Sequence, residues 1–175
     1  AYALRVQHIV DFLEWGDEIW SVWHIQGTLS DVLVRTAHDW PPLFGLLNWA
    51  WVQLAGPTLE VSRFLLVLTG TLSAALVYRA ALALGGLARL EQARAAAWLS
   101  TLALAVMPYS IFAGVDVRAY GLLLALGALA LWLTVRWLRR PSLRRGLVVA
   151  AALAALMYTS YTSAAYLALL TLLVL

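Results

Sequence analysis

The sequence has no cysteine and no lysine. Without cysteine it forms no disulfide, no thiolate metal site and no thiol nucleophile. All 12 of its basic residues are arginine. Charge of either sign is scarce: 12% of the 175 residues are charged and 63% are hydrophobic, with a mean hydropathy of +0.83. That balance argues against an ordinary soluble domain and for a chain built to lie in lipid. No Gly-rich phosphate loop and no Ser-His-Asp order occurs. His8, His24 and His38 lack the tight spacing of a zinc site. The net charge of +3 is small and the arginines form no stripe, so no nucleic-acid partner is expected.

Acids are costly wherever they approach an apolar phase. Only nine Asp and Glu occur, and seven fall between Asp11 and Glu60. Asp17 and Glu18 are adjacent, within Trp15-Gly16-Asp17-Glu18. Ile19, Trp20, Trp23, Leu29, Val32 and Leu33 recur at helical spacing, which predicts one or two amphipathic helices over 18–35. Six of the nine Trp lie at or before Trp51, and Trp favours the headgroup level. This segment is expected to lie on the membrane rather than through it. Pro41-Pro42 suits the first turn of a helix over Leu43–Ala55, which Gly56-Pro57 closes. That helix falls short of the roughly 20 apolar residues of a span.

The expected fold is all-α: a multi-pass transmembrane helix bundle with amphipathic juxtamembrane helices in the first outer loop. Residues 1–57 form the loop and 58–175 the bundle, with spans at about 59–84, 91–112, 117–138, 144–158 and 162–175. Gly85-Gly86 is expected to break the first span and Pro108 to bend the second. The chain starts without Met and stops inside an apolar run, so it reads as an excerpt of a longer protein. Eight of the 12 arginines, from Arg79 to Arg94 and from Arg136 to Arg145, fall on one side of these spans. The positive-inside rule makes that side cytoplasmic. Localisation is then the plasma (inner) membrane, with the acidic segment facing the extracytoplasmic side.

Four features share that outer face: Asp17-Glu18, His38-Asp39, Glu60 with Arg63, and Asp116 with Arg118 and Tyr120. Paired carboxylates there can supply a general base or hold a divalent cation; no cofactor is assigned. Arg63 and Arg118 suit a phosphate, because guanidinium is always charged and binds it in a bidentate way. A phosphate beside apolar helices is the chemistry of a lipid-linked phospho-sugar. Plainer readings exist for each. Asp17 and Glu18 suit a first helical turn. Asp116 suits the N-cap of the third span. Glu60 and Arg63 suit a surface pair, and Arg136–Arg145 a topology signal.

These motifs resemble the membrane-embedded GT-C glycosyltransferases, in the branch of protein O-mannosyltransferases and aminoarabinose transferases (glycosyltransferase family 39-like). Four signatures stand in order from about Trp15 to Leu175. They are Gly16-Asp17-Glu18-Ile19-Trp20; Asp39-Trp40-Pro41-Pro42-Leu43-Phe44; Gly56 followed by Ser62-Arg63-Phe64; and Asp116-Val117-Arg118-Ala119-Tyr120 after Pro108. The chain departs from the family at Trp40, where His or Lys commonly precedes Pro-Pro, at Asp116, where Glu is usual, and at Ser160, where many relatives have His. The resemblance implies sugar transfer from a polyprenyl-phosphate donor to a protein, lipid or glycan acceptor on the extracytoplasmic face. Asp17 is then the base toward the acceptor, with Glu18 and Asp39 shaping the catalytic site. Arg63 and Arg118 hold the departing phosphate, with Asp116, Tyr120 and His38 also binding substrate. The alternative is a non-catalytic multi-pass protein, such as a polyprenyl-lipid carrier or transporter subunit. A transporter should carry ionisable groups at mid-depth, and Leu122–Leu131 and Leu147–Leu156 contain none.

Overall fold

The computed structural model describes residues 1–10 and 15–174. Asp11 and Glu14, in the expected outer loop, and Leu175, the end of the last expected span, lie outside the described residues. Every regular element among the described residues is a helix. Among the described residues, two helices are long and apolar enough to cross a membrane: α5 (Leu59–Leu87) and α8 (Tyr120–Arg139).

The first four helices are α1 (Tyr2–Val6), α2 (Gly16–His24), α3 (Leu29–Asp39) and α4 (Leu43–Ala55). Asp17 and Glu18 sit in the first turn of α2, where the helix dipole favours acids. Thr28 and Asp31 form a reciprocal capping box on α3. Pro41 ends α3, since a residue before proline is pushed out of the helical region; Trp40 is extended, at φ −139° and ψ 155°. Gly56, at φ 113°, ends α4 in a conformation that glycine alone adopts easily. The 13 residues of α4 reach only about 20 Å, short of a ~30 Å hydrocarbon core.

α5 does not break at Gly85-Gly86; it runs on to Leu87, and the turn follows at Arg89, at φ 54°. Glycine inside a helix costs about 1 kcal/mol but does not force an end. Here both glycines serve close packing. A side chain on Gly85 would meet Ala93, 2.7 Å from the new Cβ, and one on Gly86 would meet the Arg139 guanidinium. The expected span at 91–112 is instead two helices, α6 (Ala93–Val106) and α7 (Pro108–Ala113). Pro108 lacks the N–H needed to continue α6 and restarts the helix at its own first position. α9 (Leu143–Met157) and α10 (Ser163–Val174) follow α8.

α5 and α8 pack along their lengths. Gly121 lets α8 approach α5, since a Cβ there would meet Leu66 and Thr69. The two run parallel. Glu18 binds both Arg63 and the Val117 amide at their starts, and Arg139 donates to the Ala83 carbonyl near their ends.

Candidate functional site

The site is built around α2. Residues i, i+3, i+4 and i+7 of a helix share one face. From Asp17 these are Trp20, Ser21 and His24, and all four line one cavity. Glu18, one residue on, points elsewhere. It is buried with its carboxylate clamped by Arg63, Nη2 at 2.7 Å and Nε at 3.1 Å, while the Val117 N–H donates to Oε1 at 3.1 Å. Arg63 Nη1 also donates to the Ile9 carbonyl at 2.7 Å.

This geometry corrects three expectations. Glu18 does not shape the cavity, because its lone pairs are engaged inside the bundle. Arg63 does not offer its guanidinium to a phosphate, because Glu18 occupies it. Nor does Arg63 form a surface pair with Glu60, which is exposed.

Arg118 lies at the cavity wall. Its Nη1 forms an ion pair with Asp17, 2.6 Å from Oδ2. Its guanidinium stands over the rings of Tyr120 at 4.7 Å, Trp15 at 5.6 Å and Trp40 at 5.9 Å, all within cation–π range. Aromatic faces thus fix this cation where the chain leaves α7 and enters α8. Tyr120 therefore meets Arg118 as well as the cavity.

Asp39 comes in from the end of α3. Its Oδ2 lies 3.0 Å from His24 Nε2, and His24 Nδ1 lies 2.8 Å from the Trp20 carbonyl. A carbonyl only accepts, so Nδ1 carries a hydrogen. His38, expected at the site, is exposed and does not line the cavity; His24 stands there instead.

Asp116 does not cap α8, whose first turn follows Ala119. The Trp15 indole N–H donates to its Oδ1 at 3.1 Å, while its Oδ2 is buried with no hydrogen-bond partner among the described residues. Burial pushes this carboxyl up from 3.8 to about 6; Glu18 and Asp17 add to the rise, and Trp15 and Arg118 oppose it. The folded value is raised, so the unfolded chain gives up its proton first as pH rises. Stability should fall between pH 3.8 and about 6 and stay lowered above that window. A shift of that size corresponds to roughly 2–3 kcal/mol. Asp116→Asn should abolish this slope. Unfolding temperatures of the two proteins at pH 4 and pH 7 test it, and a gap between them that does not change with pH would sink the assignment.

The cavity holds about 140 Å³, less than the roughly 300–1,000 Å³ of a pocket that encloses a whole drug-sized ligand. Thr159, Ser160 and Thr162 close it from the turn between α9 and α10. The Leu43 N–H donates to the Tyr158 carbonyl at 2.9 Å, tying that turn to the start of α4. Among the described residues no three metal-binding side chains converge; Asp17, Glu18 and Asp39 each face a basic side chain instead.

Trp15, Trp20, Ser21, His24, Thr159 and Thr162 were not among the residues expected at the site. The signal for the α2 group lay in the i, i+3, i+4, i+7 stripe from Asp17, masked by the apolar stripe beside it. Compared with protein-family models, curated proteins and solved structures, the chain matches none.

Proposed function

We propose that the chain carries the catalytic end of a GT-C-type glycosyltransferase, which moves a sugar from a polyprenyl-phosphate donor to an acceptor hydroxyl. The observation that carries this reading is the Asp17–Arg118 pair, 2.6 Å apart, on an aromatic cavity wall at the start of a membrane-length helix. A base and a permanent cation side by side suit the two ends of a transfer reaction. The acceptor hydroxyl gives its proton to the Asp17 carboxylate as its oxygen bonds to the anomeric carbon. The bond from that carbon to the phosphate oxygen breaks, and polyprenyl phosphate leaves with the electron pair. Arg118 neutralises the leaving phosphate through charge-assisted hydrogen bonds. Donor binding draws Arg118 from Asp17 to the phosphate, which frees the base. Trp20 and Trp40 line the cavity, where a sugar would pack against them.

In this reading α5 and α8 cross the bilayer, and α6 with α7 and the α9–α10 pair complete a multi-pass bundle. Leu99, Leu102, Leu147 and Leu169 are exposed, as a lipid-covered exterior requires. Arginine placement orients the cavity to the extracytoplasmic side.

The full-length protein in sealed vesicles should release polyprenyl phosphate from a labelled polyprenyl-phosphate hexose or pentose. It should do so only when the donor is on the face from which a single cysteine at position 17 labels. Donors that all stay intact, with the protein folded, would overturn the reading.

A further inference from the structure

The other end of α8 borders a second, larger hollow of about 640 Å³. The 20 residues of α8 put it about 30 Å from the Asp17 cavity. Arg136, Arg140, Arg144 and Arg145 line it, with Leu133 and Val148 as an apolar wall. The local sequence dictates this arrangement. Pro141 stops α8, and the Ser142 hydroxyl caps α9 by accepting the Arg145 backbone N–H at 3.3 Å. The last turn of α8 and the first of α9 thus bring four arginines around one space. Arg145 Nη1 donates to the Arg140 carbonyl at 2.6 Å, and Arg136 stacks over Trp132 at 5.1 Å. Neither contact supplies a negative charge. Among the described residues the ion pairs lie at the acidic end, on Asp17, Glu18 and Asp39.

We propose that this hollow binds the headgroup of an anionic phospholipid. A topology signal needs positive charge on one side but no concave site. Four guanidiniums with no carboxylate partner among the described residues repel one another around one space, and a phosphate relieves that with bidentate contacts. The apolar wall selects the source of the phosphate. Leu133 and Val148 meet the hollow, and Leu143 and Leu147 on α9 are 81% and 62% exposed. That surface suits acyl chains attached to the phosphate, which free phosphate lacks. Basic pockets between membrane helices take anionic headgroups for the same reason. The proposal is independent of glycosyl transfer.

The test uses the full-length protein in phosphatidylcholine vesicles containing a minor share of phosphatidylglycerol, with co-purifying lipid quantified. Phosphatidylglycerol should be enriched around the protein. Arg140→Gln with Arg144→Gln should weaken its retention about 10-fold or more. Arg89→Gln with Arg94→Gln, an equal charge change outside the hollow, should leave it intact. Millimolar inorganic phosphate should not displace the lipid. Equal loss in both double variants would reduce the cluster to a topology signal, and displacement by phosphate would assign the site to the free ion; either overturns the proposal. Removing two charges can disturb insertion, so Arg140→Lys with Arg144→Lys keeps the charge. It should insert normally yet retain phosphatidylglycerol several-fold less, because a point charge replaces a fork. Retention equal to the parent would likewise overturn a built headgroup site.

Discussion

Replacing Asp17 by Asn is expected to slow sugar transfer by about 10²–10⁴-fold, the usual share of general-base catalysis. The carboxamide keeps the size of the side chain. Its oxygen can still face Arg118, whose Nη1 lies 2.6 Å from Asp17 Oδ2. What it loses is the capacity to take a proton. Donor binding should hold or tighten, since Arg118 no longer has an anion to leave. The measurement is the initial rate at saturating donor, beside the donor KM. A variant with full rate would show Asp17 to be only a first-turn acid of α2. A variant whose loss lies wholly in KM would make it a binding residue rather than a base.

The two acids of α2 divide their work because of helix geometry. Adjacent helical residues point about 100° apart. Glu18 turns into the bundle and fastens α2 to the starts of α5 and α8, through Arg63 and the Val117 amide. Asp17 turns toward the cavity and meets Arg118. His24, two turns on, lines the cavity and meets Asp39 of α3, which lies behind it and does not line the cavity. One helix is therefore anchored on one face and lines the cavity on another.

Helix boundaries were legible wherever proline, glycine or a capping residue sits at them. Leu43–Ala55 stands between Pro42 and Gly56 as the sequence predicts, whereas Pro108, expected to bend one span, divides α6 from α7. Gly85-Gly86 misled because glycine can serve a close contact as well as a turn, and the partner Ala93 lies across a turn no local pattern reveals. Side-chain partners were less legible. Arg63 stands three residues from Glu60 but pairs with Glu18, 45 positions away, because burial leaves Arg63 needing a buried anion and Glu60 is at the surface. His38 is next to Asp39 in sequence, yet neighbouring helical residues diverge, and His24 is the one that reaches that carboxylate. Asp116 looked like an N-cap by position. Its Oδ1 faces the Trp15 indole, a contact spanning 101 residues that spacing alone does not contain.

The largest stability effect should come from the buried pair. Both side chains are almost fully enclosed, at 2% exposure for Glu18 and 3% for Arg63. Removing one partner of such a pair leaves an uncompensated buried charge and typically costs about 3–5 kcal/mol. Glu18→Ala takes the buried carboxylate from the Arg63 guanidinium and the acceptor from the Val117 N–H. Arg63→Ala strands the Glu18 carboxylate and frees the Ile9 carbonyl from its 2.7 Å contact. Each should lower the unfolding temperature of the detergent-solubilised protein sharply. The double variant should lose clearly less than the sum of the two, because no charge is left buried, and contacting residues are where additivity fails. Glu18→Leu with Arg63→Met, which refills the space, should recover more still, since an apolar substitute for a buried pair is often neutral or better. Strictly additive losses, or single variants within about 0.5 kcal/mol of the parent as at an ordinary surface site, would show that this pair does not anchor α2. Asp17 would then lose the scaffold that aims it at Arg118.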